Sequence, residues 1–200
     1  KLLRSQMNPH FIYNSLSAIQ NFILSNNSLE SVTYISEFSG LMRMVLENSR
    51  KDLITLKEDI DFVNYYLKLQ RLRFSDKFNF NISIDEKINT EIVKIPPMLT
   101  QPFIENAVDH GMRQIEKDGV IQVDYRLDEK GLVITITDNG KGMSEEANCK
   151  HNSLAITITK ERIVNISKLQ NLKIRMEITE AFPDYENKGV RVIFRIPQIK

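Results

Sequence analysis

Tryptophan is missing from this 200-residue chain, cysteine occurs once, and histidine three times. Each scarcity excludes something. The lone Cys149 rules out an internal disulfide framework and fits a reducing compartment. As a catalytic thiol it has little support, because it lies in a polar run with only His151 near it in sequence. Few and widely spaced histidines beside one cysteine speak against a structural zinc site. An excess of either charge is also missing. The formal net charge is +1, which gives no reason to expect nucleic acid or an anionic membrane as a direct partner. No apolar run approaches the length needed to cross a bilayer, and no signal peptide, internal repeat or low-complexity stretch is present. The chain opens on Lys1-Leu-Leu-Arg4, already in helical pattern and without an initiator methionine, and reads as a piece of something longer.

What remains is an ordinary globular composition, 42% hydrophobic and 26% charged, long enough for one large domain or two small ones. Up to about Phe74 the periodicity is helical. Ile12, Leu16, Ile19 and Ile23 form one seam; Ile35, Phe38, Met42 and Val45 form a second. Ser25 to Ser28 is the turn between them, with Asn27 and Glu30 placed as a capping pair. Thr55-Leu-Lys-Glu58 is another capping box, opening a third helix with Leu56, Ile60, Val63 and Leu67 aligned. No strand signal precedes Phe78. A two-helix hairpin cannot bury both stripes alone, so dimerisation into a four-helix bundle is expected. The alternative is that the stripes pack on the second half of the chain.

From Phe78 the period becomes two. Phe78, Phe80, Ile82 and Ile84 alternate with polar residues; so do Ile121, Val123, Tyr125 and Leu127, then Leu132, Ile134 and Ile136. Asp128 to Gly131 is a hairpin turn. A helix is expected over roughly Leu154 to Leu169, and final strands at Ile174/Met176/Ile178 and Val190/Val192/Phe194/Ile196. This order predicts an α+β chain whose mixed sheet carries helices on one face, unlike a doubly wound dinucleotide fold. The expected division is a helical region over 1–75 and a two-layer α/β sandwich over 76–200.

Two stretches carry chemistry of their own. In Gln101 to Gly111, Glu105 and Asn106 stand on a helix whose other face is small and apolar. A carboxylate beside a carboxamide suits a metal–phosphate group, since Mg²⁺ needs only one or two protein oxygens besides phosphates. The plainer reading is a helix whose polar side meets solvent. Asp138-Asn-Gly-Lys-Gly-Met143 is either a tight turn or a loop whose glycines let backbone approach a ligand. There the Asp138 carboxylate can accept from an exocyclic amine such as that of adenine, and Lys141, Lys150 and Arg162 can neutralise phosphates. Early in the chain, His10 follows Pro9, which either starts a helix or kinks one. A neutral imidazole there is free to attack phosphorus, or is inert like most helix histidines.

Gln6 to Asn14, Tyr66-Leu with Arg71-Leu-Arg-Phe74, Ile95 to Gly111, and Asp138-Asn-Gly-Lys-Gly142 occur here in one order. In that order they resemble the LytS-type sensor histidine kinases of bacteria, over essentially the whole chain. The resemblance implies a dimeric phosphoacceptor region followed by a Bergerat-type ATP-binding domain, the fold shared with gyrase, Hsp90 and MutL. It implies His10 as the phosphorylated histidine, with no carboxylate directly after it, and Glu105 as a candidate base. Asn106 is the implied Mg²⁺–ATP ligand and Asp138 the adenine-reading aspartate. His110 and Gly111 complete the helix motif, and Gly140, Lys141 and Gly142 form the loop. It further implies ATP and Mg²⁺ as cofactors, a response-regulator receiver domain as partner, and no direct contact with nucleic acid. The whole protein would be held at the cell membrane by a sensor region outside this sequence. One departure concerns the second glycine box, where Ser153, Ala155 and Ile158 replace two glycines and an asparagine while Glu161 and Arg162 remain. Ser153 and Arg162 are still expected near the phosphates. The replaced residues motivate a rival reading, a dimeric signalling module whose ATP site is weak or inactive. A third reading, an ATPase acting on water through Glu105, leaves the His10 segment unexplained.

Overall fold

The structure is a computed structural model that describes residues 9–24, 28–74, 77–113, 115–142 and 173–197. The helix expected over Leu154 to Leu169, with Ser153 and Arg162, lies outside the described residues, as does the Asn27 cap. Helices α1 (Pro9–Leu24), α2 (Ser28–Asn48) and α3 (Leu56–Arg73) come first, as the helical periodicity predicts. The α2 face that is buried is rotated from the expected stripe. Ser31, Tyr34, Leu41, Val45 and Asn48 are buried, while Ile35 is 42% exposed. The buried set repeats in steps of three, four and seven, a seam that meets α1 on one side and α3 on the other.

Helix α3 starts at the Thr55 capping box. The Thr55 hydroxyl accepts from the Glu58 N–H at 3.2 Å, and the Glu58 carboxylate accepts from the Thr55 N–H at 2.8 Å. Unlike a surface helix, α3 buries more than one stripe: Leu56, Phe62, Val63, Tyr66, Leu67 and Leu69 are all in the core. It is wedged between α2 and the sheet, which is why half-buried Ile60 is not its centre. One expectation is corrected here. Short strands precede and follow α3's neighbourhood, β1 (Ile54–Thr55) pairing antiparallel with β3 (Lys94–Ile95). Two residues are too few for an alternation to show, so only the pairing reveals them.

The main sheet has the order β2-β4-β5-β7-β6, with β2 (Phe78–Ile84), β4 (Gly119–Asp128), β5 (Gly131–Asp138), β6 (Arg175–Glu180) and β7 (Val190–Pro197). Strand β2 runs parallel to β4 and the other pairs are antiparallel. The expected hairpin turn forms, with the Asp128 carboxylate accepting from the N–H groups of Lys130 and Gly131 at 2.8 and 2.9 Å. Register places Val123 opposite Ile136, Ile136 opposite Val192, and Ile134 opposite Phe194. The apolar alternation of separate strands thereby becomes one continuous face. Helix α4 (Gln101–Asn106) packs on that face, with Phe103 edge-on to Phe194 at 5.3 Å. It continues as a wide-turned π-helix over Ala107–Met112.

Candidate functional site

The end of β5, the π-helical segment and the start of β7 close around one cavity that opens to solvent. Its polar lining comes from Asn106, His110 and Asp138, with Gly111 and Gly142 beside them. Phe103, Ile136, Ile178, Val190 and Val192 form an apolar wall. A few convergent polar groups on apolar walls are usual for a small-molecule site.

Asp138 is buried in the lining of this cavity. Burial pushes its carboxyl up to about 6, although backbone N–H donors at Gly140 and Val190 hold it down. The Gly140 N–H donates to Asp138 Oδ1 at 2.9 Å. Here glycine is a steric requirement. A Cβ on Gly140 would lie 2.5 Å from the Gly111 Cα, and one on Gly189 would lie 2.1 Å from the Asp138 carbonyl oxygen. The loop can therefore press on the helix only because both surfaces lack side chains. Asn139 settles the local geometry by accepting from the Val120 N–H at 2.7 Å and donating to the Asp118 carbonyl at 3.0 Å. Asp-Asn-Gly is thus no hairpin turn; it is a loop stitched to the edge of β4.

The sequence-named residues divide. Asn106, His110, Asp138 and Gly142 line the cavity, and Gly140 lies against its helix wall. Exposed Lys141 is not among the lining residues. Glu105 also stands off the cavity wall. It accepts from the Gln101 side-chain amide at 2.8 Å and acts on the buried Tyr66 phenol of α3. His10 lies on α1, one turn and a half before the buried Ser15. Sequence reasoning listed Ile136, Ile178, Val190 and Val192 as strand core and did not see them as a cavity wall. Their alternation was the available signal; the register that stacks Ile136, Val192 and Ile178 side by side was not. Gly189 carried no signal at all.

Comparison with known proteins matches residues 1–78 to the family described as histidine kinase. Along 98% of its length the chain is 28% identical to the sensor histidine kinase YesM of Bacillus subtilis (strain 168), covering 33% of that protein. It is 31% identical over 178 residues to the sensor histidine kinase/phosphatase LytS of Staphylococcus aureus (strain MRSA252), 88% of this chain and 30% of that one. The chain is thus similar to LytS-type and YesM-type sensor histidine kinases along most of its length. It spans about a third of the length of these relatives. Among solved structures, the histidine kinase ThkA in complex with response regulator protein TrrA superimposes with a TM-score of 0.50 at 17% identity. That match covers 96% of this chain and 60% of ThkA, and it supports the α+β fold of a histidine kinase. Among the described residues no helix is long and apolar enough to cross a membrane.

The donor set of this cavity is compatible with a magnesium nucleotide. Asn106 offers a hard oxygen in the lining, and a cavity open to solvent leaves room for the ion's remaining waters. Asp138 offers a buried acceptor, and the apolar lining residues suit a flat heteroaromatic ring.

Proposed function

We propose that this chain is the kinase part of a two-component sensor, using ATP to phosphorylate His10 and passing the group to an aspartate of a response regulator. The observation that carries the proposal is the convergence of Asn106, His110, Gly111 and Asp138 on one cavity, in a chain with a histidine segment upstream. Asp138 would accept from the exocyclic amine of the base, and Asn106 would hold a Mg²⁺ that neutralises the phosphates. In the transfer, a ring nitrogen of His10 bonds to the γ-phosphorus as the bond to the leaving ADP oxygen breaks, and the ring gives up its proton. Such transfers depend on alignment and charge neutralisation more than on covalent help. Glu105, on the α3 side of its helix, is the candidate acceptor of that proton. Lys141, Ser153 and Arg162 are candidate phosphate contacts.

Dimerisation belongs to the same proposal. Leu24 and Leu29 are 81% and 79% exposed, and Val32 66%, across adjoining ends of α1 and α2. A second copy burying them would complete a four-helix bundle. Membrane attachment would come from segments outside this sequence, and the partner regulator is proposed from the family relationship. Labelled ATP with Mg²⁺ should give acid-labile label on the chain, and none on His10→Ala. Label persisting in that variant would remove His10 from the site. The altered positions Ser153, Ala155 and Ile158 support a second reading, a signalling module with an inactive site. Calorimetry with a non-hydrolysable ATP analogue separates the two, because the inactive module would give no Mg²⁺-dependent binding.

A further inference from the structure

The stretch from Tyr66 to Phe74, part of the family pattern, takes no part in the chemistry just proposed. Its placement gives it a role. Helix α3 is tied by two side-chain contacts to the stretch that runs from just before α4 through the π-helical segment. Near its start Asp59 accepts from the Thr100 hydroxyl at 2.8 Å, just ahead of α4. Near its end the Arg73 guanidinium meets the Asp109 carboxylate at 3.4 Å, with side chains only 15% and 19% exposed. Arg73 is itself held in place: its guanidinium lies 4.3 Å above the Phe74 ring, and Phe74 packs edge-on against Phe78 of β2.

Asp109 sits inside the π-helical segment, directly before His110 and Gly111 at the cavity. Wide turns of this kind are uncommon and concentrate at functional sites. One side of the segment thus faces α3 while the other faces the cavity, and a fixed Asp109 fixes its neighbours. The charges sharpen the argument. Glu105 and Asp109 are one turn apart, and both act on the buried Tyr66 phenol. Arg73 acts on it in the opposite sense, and its charge is also felt at the buried Tyr34 phenol of α2. Without the guanidinium, two shielded carboxylates on one helix face would repel each other and draw the segment toward solvent.

We propose that Arg73 is a positioning residue which, through Asp109, pins the π-helical segment and so sets where His110 and Gly111 stand at the cavity. The functional half of this inference rests on reading the cavity as the nucleotide site. The test combines amide hydrogen exchange of the free chain with calorimetry against a non-hydrolysable ATP analogue and Mg²⁺. Arg73→Gln and Asp109→Asn should each speed exchange of the amides in 107–113 by about tenfold and weaken analogue binding by a similar factor. Exchange in β4 and β5 should stay unchanged. The double exchange Arg73→Asp with Asp109→Arg should recover most of both effects, which a merely structural loss of packing would not allow. The pin is overturned if exchange in 107–113 does not change in either single variant. It is equally overturned if acceleration spreads evenly over the sheet, or if the folded double variant recovers nothing. A wild-type chain that bound no analogue would overturn the nucleotide reading and the functional half with it, while exchange alone would still decide the pin.

Discussion

Asp59 makes the most exacting physical prediction. It is a carboxylate in the core, 2% exposed, with Thr100 donating to one oxygen at 2.8 Å and Tyr125 to the other at 3.0 Å. Burial pushes its pKa from 3.8 up to about 6, and the two hydroxyl donors offset only part of the shift. The native chain therefore holds this proton more tightly than the unfolded chain does. Its contribution to stability is fully present below pH 3.8 and is lost as pH rises through about 6. A shift of roughly 2 units corresponds to about 3 kcal/mol of stability lost across that window. In Asp59→Asn the amide oxygen can still accept from Thr100 and its NH₂ can donate to the Tyr125 oxygen, with no charge to desolvate. Urea unfolding followed by circular dichroism at pH 5, 6, 7 and 8 is the assay. The wild type should weaken from pH 5 to 7, and Asp59→Asn should weaken less by about 1 kcal/mol. Asp138, displaced in the same direction, accounts for the slope that remains. Burial also raises Glu58, but hydrogen bonds from Lys51 and Thr55 outweigh it and leave that group lowered, so its loss of stability lies at more acid pH. Equal pH slopes in wild type and Asp59→Asn would refute the reasoning, as would a variant less stable than wild type at pH 8.

Other expectations are simpler. Gly140→Ala forces a Cβ against the Gly111 backbone at 2.5 Å, which cannot yield like a side-chain tip, so ATP-analogue affinity measured by calorimetry should fall by at least about tenfold. Binding to the wild type should weaken as pH drops below about 6, where Asp138 takes up a proton and loses its role as an acceptor; an affinity flat from pH 7 to 5 would count against that role. Thr55→Ala removes the α3 cap and should cost about 1 kcal/mol in urea unfolding without changing the sheet's circular dichroism. Replacing Leu29 and Val32 together by glutamate should turn a dimer into a monomer in light scattering.

Much of the fold was legible before the structure. Alternation located the main strands because each has one apolar face, and a capping box located α3 because its two hydrogen bonds join residues only three apart. What misled was the rotation of α2. A chain rich in apolar residues offers more than one stripe, and Ile35/Met42 and Tyr34/Leu41 are equally good on paper. Packing against α3 chose the second. Glu105 is a similar case: its position on a helix was clear, but whether it faced the cavity or Tyr66 depended on where α3 lay.

By itself the sequence determined the kinds of element, their order, and the short-range chemistry of caps and turns, since those depend on residues within a few places of each other. It also carried the motifs that mark Asn106, Asp138 and His10. Only the tertiary structure decided which distant groups meet. Arg73 is 36 residues from Asp109, Asp59 is 66 from Tyr125, and Gly189, just before β7, packs against the Asp138 carbonyl. Periodicity tells which face of an element avoids water, and is silent about what covers it. That choice is made by register and close packing, when the whole chain closes on itself.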